Sequence, residues 1–299
     1  MQFYTTIQDM TGVYEEQPFT KELEHTASTQ KTAEENPPVF WIDCKSISGT
    51  DCYCDDDAQA EINSKMDNVL SCVKKISGGT SNDKHIPGIH FFDSGNYHYM
   101  SKLWTDRIQE PFDLVVFDHH PDMQPPRFEG ILSCGGWVKE VLDKNSYIGN
   151  IVLVGVADHL IEEIKNEPSA EFEKYANRVT FIPESSLIDA LEQNLFSSLL
   201  EAFSAALTRS VYISIDKDAL SINETVTNWD QGSLTWNQLK SFLQKAFEVR
   251  NVLGIDICGE RAREQDYANG MDEGTADQVN NQLNINLYKT VVSCFKSKF

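Results

Sequence analysis

Beyond residue 38 the chain alternates short apolar runs with longer amphipathic stretches. The apolar runs cover 39–42, 88–92, 113–117, 151–156, 179–182, 211–215 and 252–257, and several are β-branched and apolar on both faces. That is the pattern of strands buried in a parallel sheet. Between them, apolar residues recur with helical spacing over 58–76, 137–142, 159–166, 185–206, 235–249 and 277–296. The alternation predicts an α/β domain with a mainly parallel sheet and helices on both faces. In such a sheet ligands bind outside the carboxyl ends of the strands, so chemistry is expected there. Residues 20–37 are polar and lead into the pair Pro37-Pro38, which reads as an exposed helix or linker. Residues 1–37 are therefore expected to form an N-terminal extension and polar linker on or beside a domain of residues 38–299.

Composition narrows the partners. The chain has 299 residues and a net charge of −21. Phosphate backbones are bound through Lys and Arg and anionic membranes attract basic segments, so neither nucleic acid nor a membrane surface is an expected partner. No apolar run approaches the ~18–20 residues of a spanning helix. The N-terminus lacks a basic region followed by an apolar one, which predicts no signal peptide and a cytoplasmic protein. The seven cysteines, Cys44, Cys52, Cys54, Cys72, Cys134, Cys258 and Cys294, are odd in number and contain no CxxC, so reduced thiols are expected. Cys52-Tyr53-Cys54 reads as two half-buried residues on one face of a strand end.

The run at 113–117 leads into Asp118, His120 and Asp122, spaced i, i+2, i+4. On extended backbone alternate residues share a face, so two carboxylates and an imidazole converge just past a hydrophobic strand. Hard oxygens with a neutral imidazole suit Mn²⁺, Zn²⁺ or Fe²⁺. The run at 211–215 leads into Asp216-Lys217-Asp218, an acid pair that is costly unless a cation or hydrogen bonds compensate. His90, Asp93 and His98 cluster around the end of the run at 88–92. Singly, such residues have ordinary roles: a strand-end Asp caps a helix, His119 packs beside the site, and His85 and His90 flank a strand. Jointly they point to a metal site.

At these residues the chain resembles the arginase/deacetylase superfamily, in its ureohydrolase branch of arginase, agmatinase and formimidoylglutamase. The family's DxHxD is matched by Asp118, His120 and Asp122, and its SFDxDxxDP by Ser214-Ile215-Asp216-Lys217-Asp218-Ala219-Leu220. Its GGDH turn corresponds to Gly95-Asn96-Tyr97-His98, and its GGLTY segment to Gly232-Ser233-Leu234-Thr235-Trp236. The resemblance spans residues 88–260 in the correct order. It implies a three-layer α/β/α sandwich around a mostly parallel sheet and two divalent ions, usually Mn²⁺, with Zn²⁺ or Fe²⁺ as alternatives. By the same resemblance His98 and Asp122 serve one ion and His120 and Asp218 the other, with Asp118 and Asp216 bridging. A bridging hydroxide then attacks a trigonal carbon bearing nitrogen in a small guanidino, amidino or amide substrate. Asp118, His120 and Glu260 carry the catalytic roles it implies. Family members are commonly trimers or hexamers, although no assembly signature stands out in this chain.

The chain departs from that pattern in three places. The family's GFDxxE reads here Gly254-Ile255-Asp256-Ile257-Cys258-Gly259-Glu260, so Gly259 occupies the place of the substrate-binding glutamate and Glu260 lies one residue late. A bulge would restore its direction, and Glu260 with Arg261 is carried forward as the candidate substrate-binding pair; Arg263 lies nearby. No histidine follows DxHxD where the family has a proton shuttle; Ser133-Cys134-Gly135 stands there, and His159 is the remaining shuttle candidate. Lys217 separates the DxD acids, and Ser221-Ile222 replaces the family's Asp-Pro. Three other readings remain: a single-metal deacetylase-like amidohydrolase, a metal-binding scaffold without activity, and a DHH phosphoesterase suggested by Asp118-His119-His120. In the last family the DxD element precedes DHH, whereas here it follows.

Overall fold

The structure is a computed structural model that describes residues 3–28, 37–77, 85–125, 130–261 and 272–298. Eight strands form the central sheet: β1 (Tyr4–Asp9), β2 (Val39–Asp43), β4 (Gly88–Phe91), β5 (Phe112–Phe117), β7 (Ile148–Val154), β8 (Val179–Ile182), β9 (Ser210–Asp216) and β10 (Val252–Cys258). Their order is β2-β1-β4-β10-β9-β5-β7-β8, and every pairing is parallel. A two-residue antiparallel ribbon, β3 (Tyr53–Cys54) with β6 (Leu132–Ser133), stands apart from the sheet. The helices are α1 (Val13–Glu16), α2 (Pro18–Ser28), α3 (Asp56–Ile76), α4 (Met100–Thr105), α5 (Trp137–Lys144), α6 (Asp158–Asn166), α7 (Glu184–Glu192), α8 (Phe196–Ala206), α9 (Trp236–Val249) and α10 (Glu273–Lys298).

The parallel order explains the composition of the strands. A strand covered on both faces must be apolar throughout, and all six residues of β5 and all seven of β10 are buried. Two cores result. One packs α3, α4, α5 and α6 on the sheet through Ile62, Met100, Trp137 and Ile161. The other packs α7, α8, α9 and α10 on the opposite face through Leu187, Phe203, Phe242 and Leu287. This is the parallel sheet with helices on both faces that the sequence pattern predicts, and the three-layer α/β/α sandwich that the resemblance implies. Among the described residues no helix is long and apolar enough to cross a membrane.

Two sequence expectations are corrected. Residues 1–37 are expected as an extension and linker on or beside the domain, but β1 is an interior strand of the sheet, paired with β2 on one side and β4 on the other. Its sequence, YTTIQD, is polar at four positions and does not read as an apolar run, yet all six residues are buried. Local partners absorb that polarity. Thr6 Oγ1 bonds His90 Nδ1 at 2.8 Å, and Asp9 Oδ1 accepts the Gly12 N–H at 2.7 Å. The second correction concerns 185–206, one helical pattern that the structure divides into α7 and α8, with Asn194 between them in the left-handed region at φ 55°. His90 is a core residue: it stacks on Trp104 with ring centroids 3.5 Å apart, and burial lowers its pKa well below the ordinary value.

Phe242 joins α8, α9 and the sheet, with Phe117, Phe196 and Phe203 each within 5.8 Å of its ring centroid. Phe242→Ala is expected to destabilise the fold by about 3–5 kcal/mol, read from the midpoint of a denaturant titration.

Candidate metal centre

Strands β4, β10, β9 and β5 are consecutive neighbours, so their carboxyl ends form one contiguous edge. β5 ends at Phe117, and the chain beyond it carries Asp118, His120 and Asp122. β9 ends on Asp216, whose Oδ1 accepts the Asp218 N–H at 3.0 Å and so caps the 3-10 turn Lys217–Ala219. β4 leads through the tight turn Gly95–Tyr97 to His98. Gly95 is needed for close approach: a Cβ there would stand 2.8 Å from Asp216 Oδ2 and from Trp229.

Backbone and side-chain donors hold the carboxylates and turn them toward a common centre. Asp118 Oδ1 accepts the His120 N–H at 2.6 Å, Asp218 Oδ1 accepts the His119 N–H at 3.0 Å, and Asp122 Oδ2 accepts Trp137 Nε1–H at 2.7 Å. His98 Nδ1 lies 3.1 Å from Asp118 Oδ2, 3.0 Å from Asp122 Oδ2 and 3.5 Å from Asp216 Oδ2. His120 Nδ1 lies 3.0 Å from Asp218 Oδ2 and 3.5 Å from Asp118 Oδ1. Donor atoms within 4.8 Å of one another therefore form the overlapping groups His98–Asp118–Asp122, Asp118–His120–Asp218 and His98–Asp216–Cys258. The buried Asp118 Oδ2 accepts no hydrogen bond, an orphaned acceptor of the kind a cation satisfies. Behind His98, Nε2 meets Ser214 Oγ at 2.9 Å, Ser214 meets Ser101 Oγ at 2.9 Å, and Ser101 donates to Asp256 Oδ1 at 3.1 Å. With Nε2 protonated toward Ser214, Nδ1 offers its lone pair to the centre.

The electrostatics describe a cluster built for positive charge. Burial pushes the Asp216 and Asp218 carboxyls up, and neighbouring carboxylates push the same way, Asp218 on Asp216 and Asp118 on Asp218. Burial by itself would keep the imidazoles neutral, but the carboxylates outweigh it. Asp118 and Asp122 hold His98 well above its ordinary pKa, and Asp118 and Asp218 push His120 up to about 12. Without a cation the cluster holds protons instead. The centre opens into a cleft of about 370 Å³ walled by Tyr53, Pro121, Gln124, Cys52, Cys134 and Trp229.

Glu260 and Arg261 are not in that cleft, which corrects the substrate-binding expectation. Gly259 takes φ +86°, and a Cβ on it would stand 2.3 Å from Asp216 Oδ1 and 2.6 Å from the Lys217 nitrogen. No side chain fits at the position where the sequence comparison places a glutamate. The one-residue displacement sends Glu260 to the other side of the chain, where it is fully buried and ion-paired with Lys217. It also accepts from Gln17 Nε2 at 2.7 Å, Asn284 Nδ2 at 2.7 Å and Asn280 Nδ2 at 3.1 Å. Arg261 makes a two-point pair with Asp277, Nε to Oδ1 at 2.6 Å and Nη2 to Oδ2 at 2.7 Å. His159 is exposed on α6, outside the cleft lining, and Arg263 lies outside the described residues. Sequence reasoning missed the supporting groups Trp137, Trp229 and Ser101, for which no local spacing gives a signal. Ser214, the first residue of the quoted SIDKD segment, had one.

A sequence model of the Arginase family matches residues 42–270. An uncharacterized protein of Thermotoga maritima is 31% identical over 173 residues, and the match spans 58% of either chain. Among solved structures, agmatine ureohydrolase of Thermoplasma volcanium superposes with a TM-score of 0.62 at 12% identity, covering 99% of this chain and 90% of that one. Formimidoylglutamase of Bacillus subtilis gives 0.62 at 12% identity, covering 98% and 88%. Arginase of Bacillus caldovelox gives 0.59 at 11% identity, covering 95% and 97%. These superpositions establish a shared fold.

Two outcomes follow from the geometry. Protons held by the raised carboxyls and imidazoles compete with a cation, so Mn²⁺ affinity should weaken on going from about pH 8 to about pH 6, by roughly tenfold per pH unit for each proton displaced. Calorimetric titration at several pH values measures this, and a flat affinity would contradict the protonation assigned to the cluster. Removing the buried carboxylate in Glu260→Ala leaves the Lys217 charge uncompensated and should cost about 3–5 kcal/mol of stability. Metal content, measured by elemental analysis, should stay at the wild-type level.

Proposed function

The chain belongs to the arginase family, and from that premise we propose that it is a metal-dependent hydrolase acting on a linear C–N bond of a small molecule. The observation that carries this reading is the pair of donor groups, His98–Asp118–Asp122 and Asp118–His120–Asp218, which share one carboxylate at the carboxyl edge of the sheet. In this reading His98 and Asp122 would hold one divalent ion, His120 and Asp218 the second, and Asp118 and Asp216 would be available to both. Carboxylate oxygens with imidazole nitrogens form a donor set suited to Mn²⁺, with Zn²⁺ or Fe²⁺ as alternatives. When bound, two such cations would supply an acidified water as nucleophile and stabilisation for the negative charge that develops at a trigonal carbon.

The remaining roles belong to the protein. Asp118 carries the most, since both groups need its carboxylate, and its Oδ1 is fixed by the His120 backbone. The chain His98–Ser214–Ser101–Asp256 holds the proton on Nε2 and fixes the ring. Trp137 fixes Asp122 by its indole N–H. The substrate enters the cleft, between Trp229 and the wall formed by Tyr53, Pro121 and Gln124. Among the described residues lining that cleft, the charged side chains all belong to the candidate ligands. With position 259 closed to any side chain, a carboxylate grip on a guanidinium is not available there.

The test loads the protein with Mn²⁺, counts the bound metal and screens guanidino, amidino and amide compounds for release of urea or ammonia. The expected result is two ions per chain and release of urea or ammonia from one of these compounds. Asp118→Ala and Asp216→Ala should each lose bound metal and activity together. Two bound ions with no turnover of any compound would favour a scaffold, and release of phosphate from phosphodiesters would favour a phosphoesterase.

A further inference from the structure

Cys52 and Cys134 lie outside the proposed metal chemistry, yet both line the cleft. They come from distant parts of the chain and are brought together by the small ribbon. Its register pairs Tyr53 with Ser133 and Cys54 with Leu132, and the Cys134 N–H donates to the Cys52 carbonyl at 3.0 Å. That bond brings the two backbones side by side where the ribbon ends, with Cys52 in the left-handed region at φ 58° and Cys134 opening the 3-10 turn Cys134–Gly136. A direct backbone hydrogen bond of this length brings the two Cα atoms near the ~4.4–6.8 Å that a disulfide spans. The two thiols are near enough to shift each other's pKa. Both residues are half-buried on the wall of an open cleft, whereas Cys44, Cys54 and Cys258 are buried and the exposed Cys72 lies on α3.

We propose that Cys52 and Cys134 form a reversible disulfide across the cleft wall when the protein meets a peroxide. The Cys52 thiolate attacks the peroxide O–O bond, gives a sulfenic acid and releases one water after protonation. Cys134 then attacks the sulfenic sulfur, the S–S bond forms, and the hydroxyl leaves with the Cys134 proton as a second water. Two thiols lose two electrons and one hydrogen peroxide becomes two waters; a dithiol reductant reverses the step. The assignment of Cys52 as the attacking group agrees with its surroundings. The adjacent Cys134 thiol lowers the Cys52 pKa, while Cys52, with burial, raises that of Cys134. The linkage would tether β3 to β6 three residues before Trp137, the residue that fixes Asp122.

The test treats the whole protein with hydrogen peroxide, alkylates it in denaturant and maps unreduced peptides by mass spectrometry. Seven alkylatable thiols should fall by two, with one peptide pair joining Cys52 to Cys134, and dithiothreitol should restore all seven. Cys52→Ser and Cys134→Ser, both near-isosteric, should each abolish that pair while Cys72 alkylates as before. The proposal is overturned if Cys52 and Cys134 remain alkylatable at a peroxide exposure that oxidises Cys72, or if Cys52 links to any other cysteine instead. These readouts require no turnover, so a failed substrate screen leaves them unaffected.

Discussion

Four aspartates gathered at one edge of a parallel sheet, mostly out of water, are the constraint around which the rest of the molecule is arranged. Two unit charges about 4 Å apart repel by roughly 4 kcal/mol at the effective dielectric of a protein surface, and burial adds to this. The fold answers in two ways. A backbone N–H is donated to one oxygen of Asp118, of Asp216 and of Asp218, which fixes direction and disperses charge. Two imidazoles are set among the other oxygens, so protons fill the role that a divalent cation would take. The surrounding core is rigid because the strands that deliver these groups are packed on both faces.

The same crowding explains why the last core strand departs from the family pattern. Beyond Cys258 the backbone passes so close to Asp216 and Lys217 that only glycine fits at 259. The next residue turns its carboxylate away from the cleft and into a buried network. Lys217, which the sequence places awkwardly between two acids, supplies the counter-charge. Gln17, Asn280 and Asn284 complete that network and tie the N-terminal and C-terminal segments to the back of the metal centre. A group that the family pattern assigns to substrate thus becomes part of a buried structural network behind the candidate ligands.

The fold itself was largely legible because parallel strands covered on both faces leave continuous apolar runs, and helices between them leave a different period. The acid-rich strand ends were legible for a related reason: residues two apart on extended backbone share a face, so Asp118, His120 and Asp122 announce a convergence without any knowledge of their partners. β1 was not legible. Its Thr5, Thr6 and Gln8 are buried in the sheet interior, and what makes that tolerable, His90 beside Thr6 for example, is more than 80 residues away in sequence.

Local periodicity determined the layers, the strand ends that carry chemistry and the residue types able to hold a cation. Tertiary structure alone decided which way Glu260 points, because that turns on the left-handed backbone at Gly259 and on a lysine and two asparagines from other elements. It alone placed His98 against three carboxylates and set Cys52 beside Cys134. The physical reason is common to all three. A side chain's face within its own element follows from spacing, whereas its partner is set by strand order, register and close backbone approach, which arise only when the whole sheet has assembled.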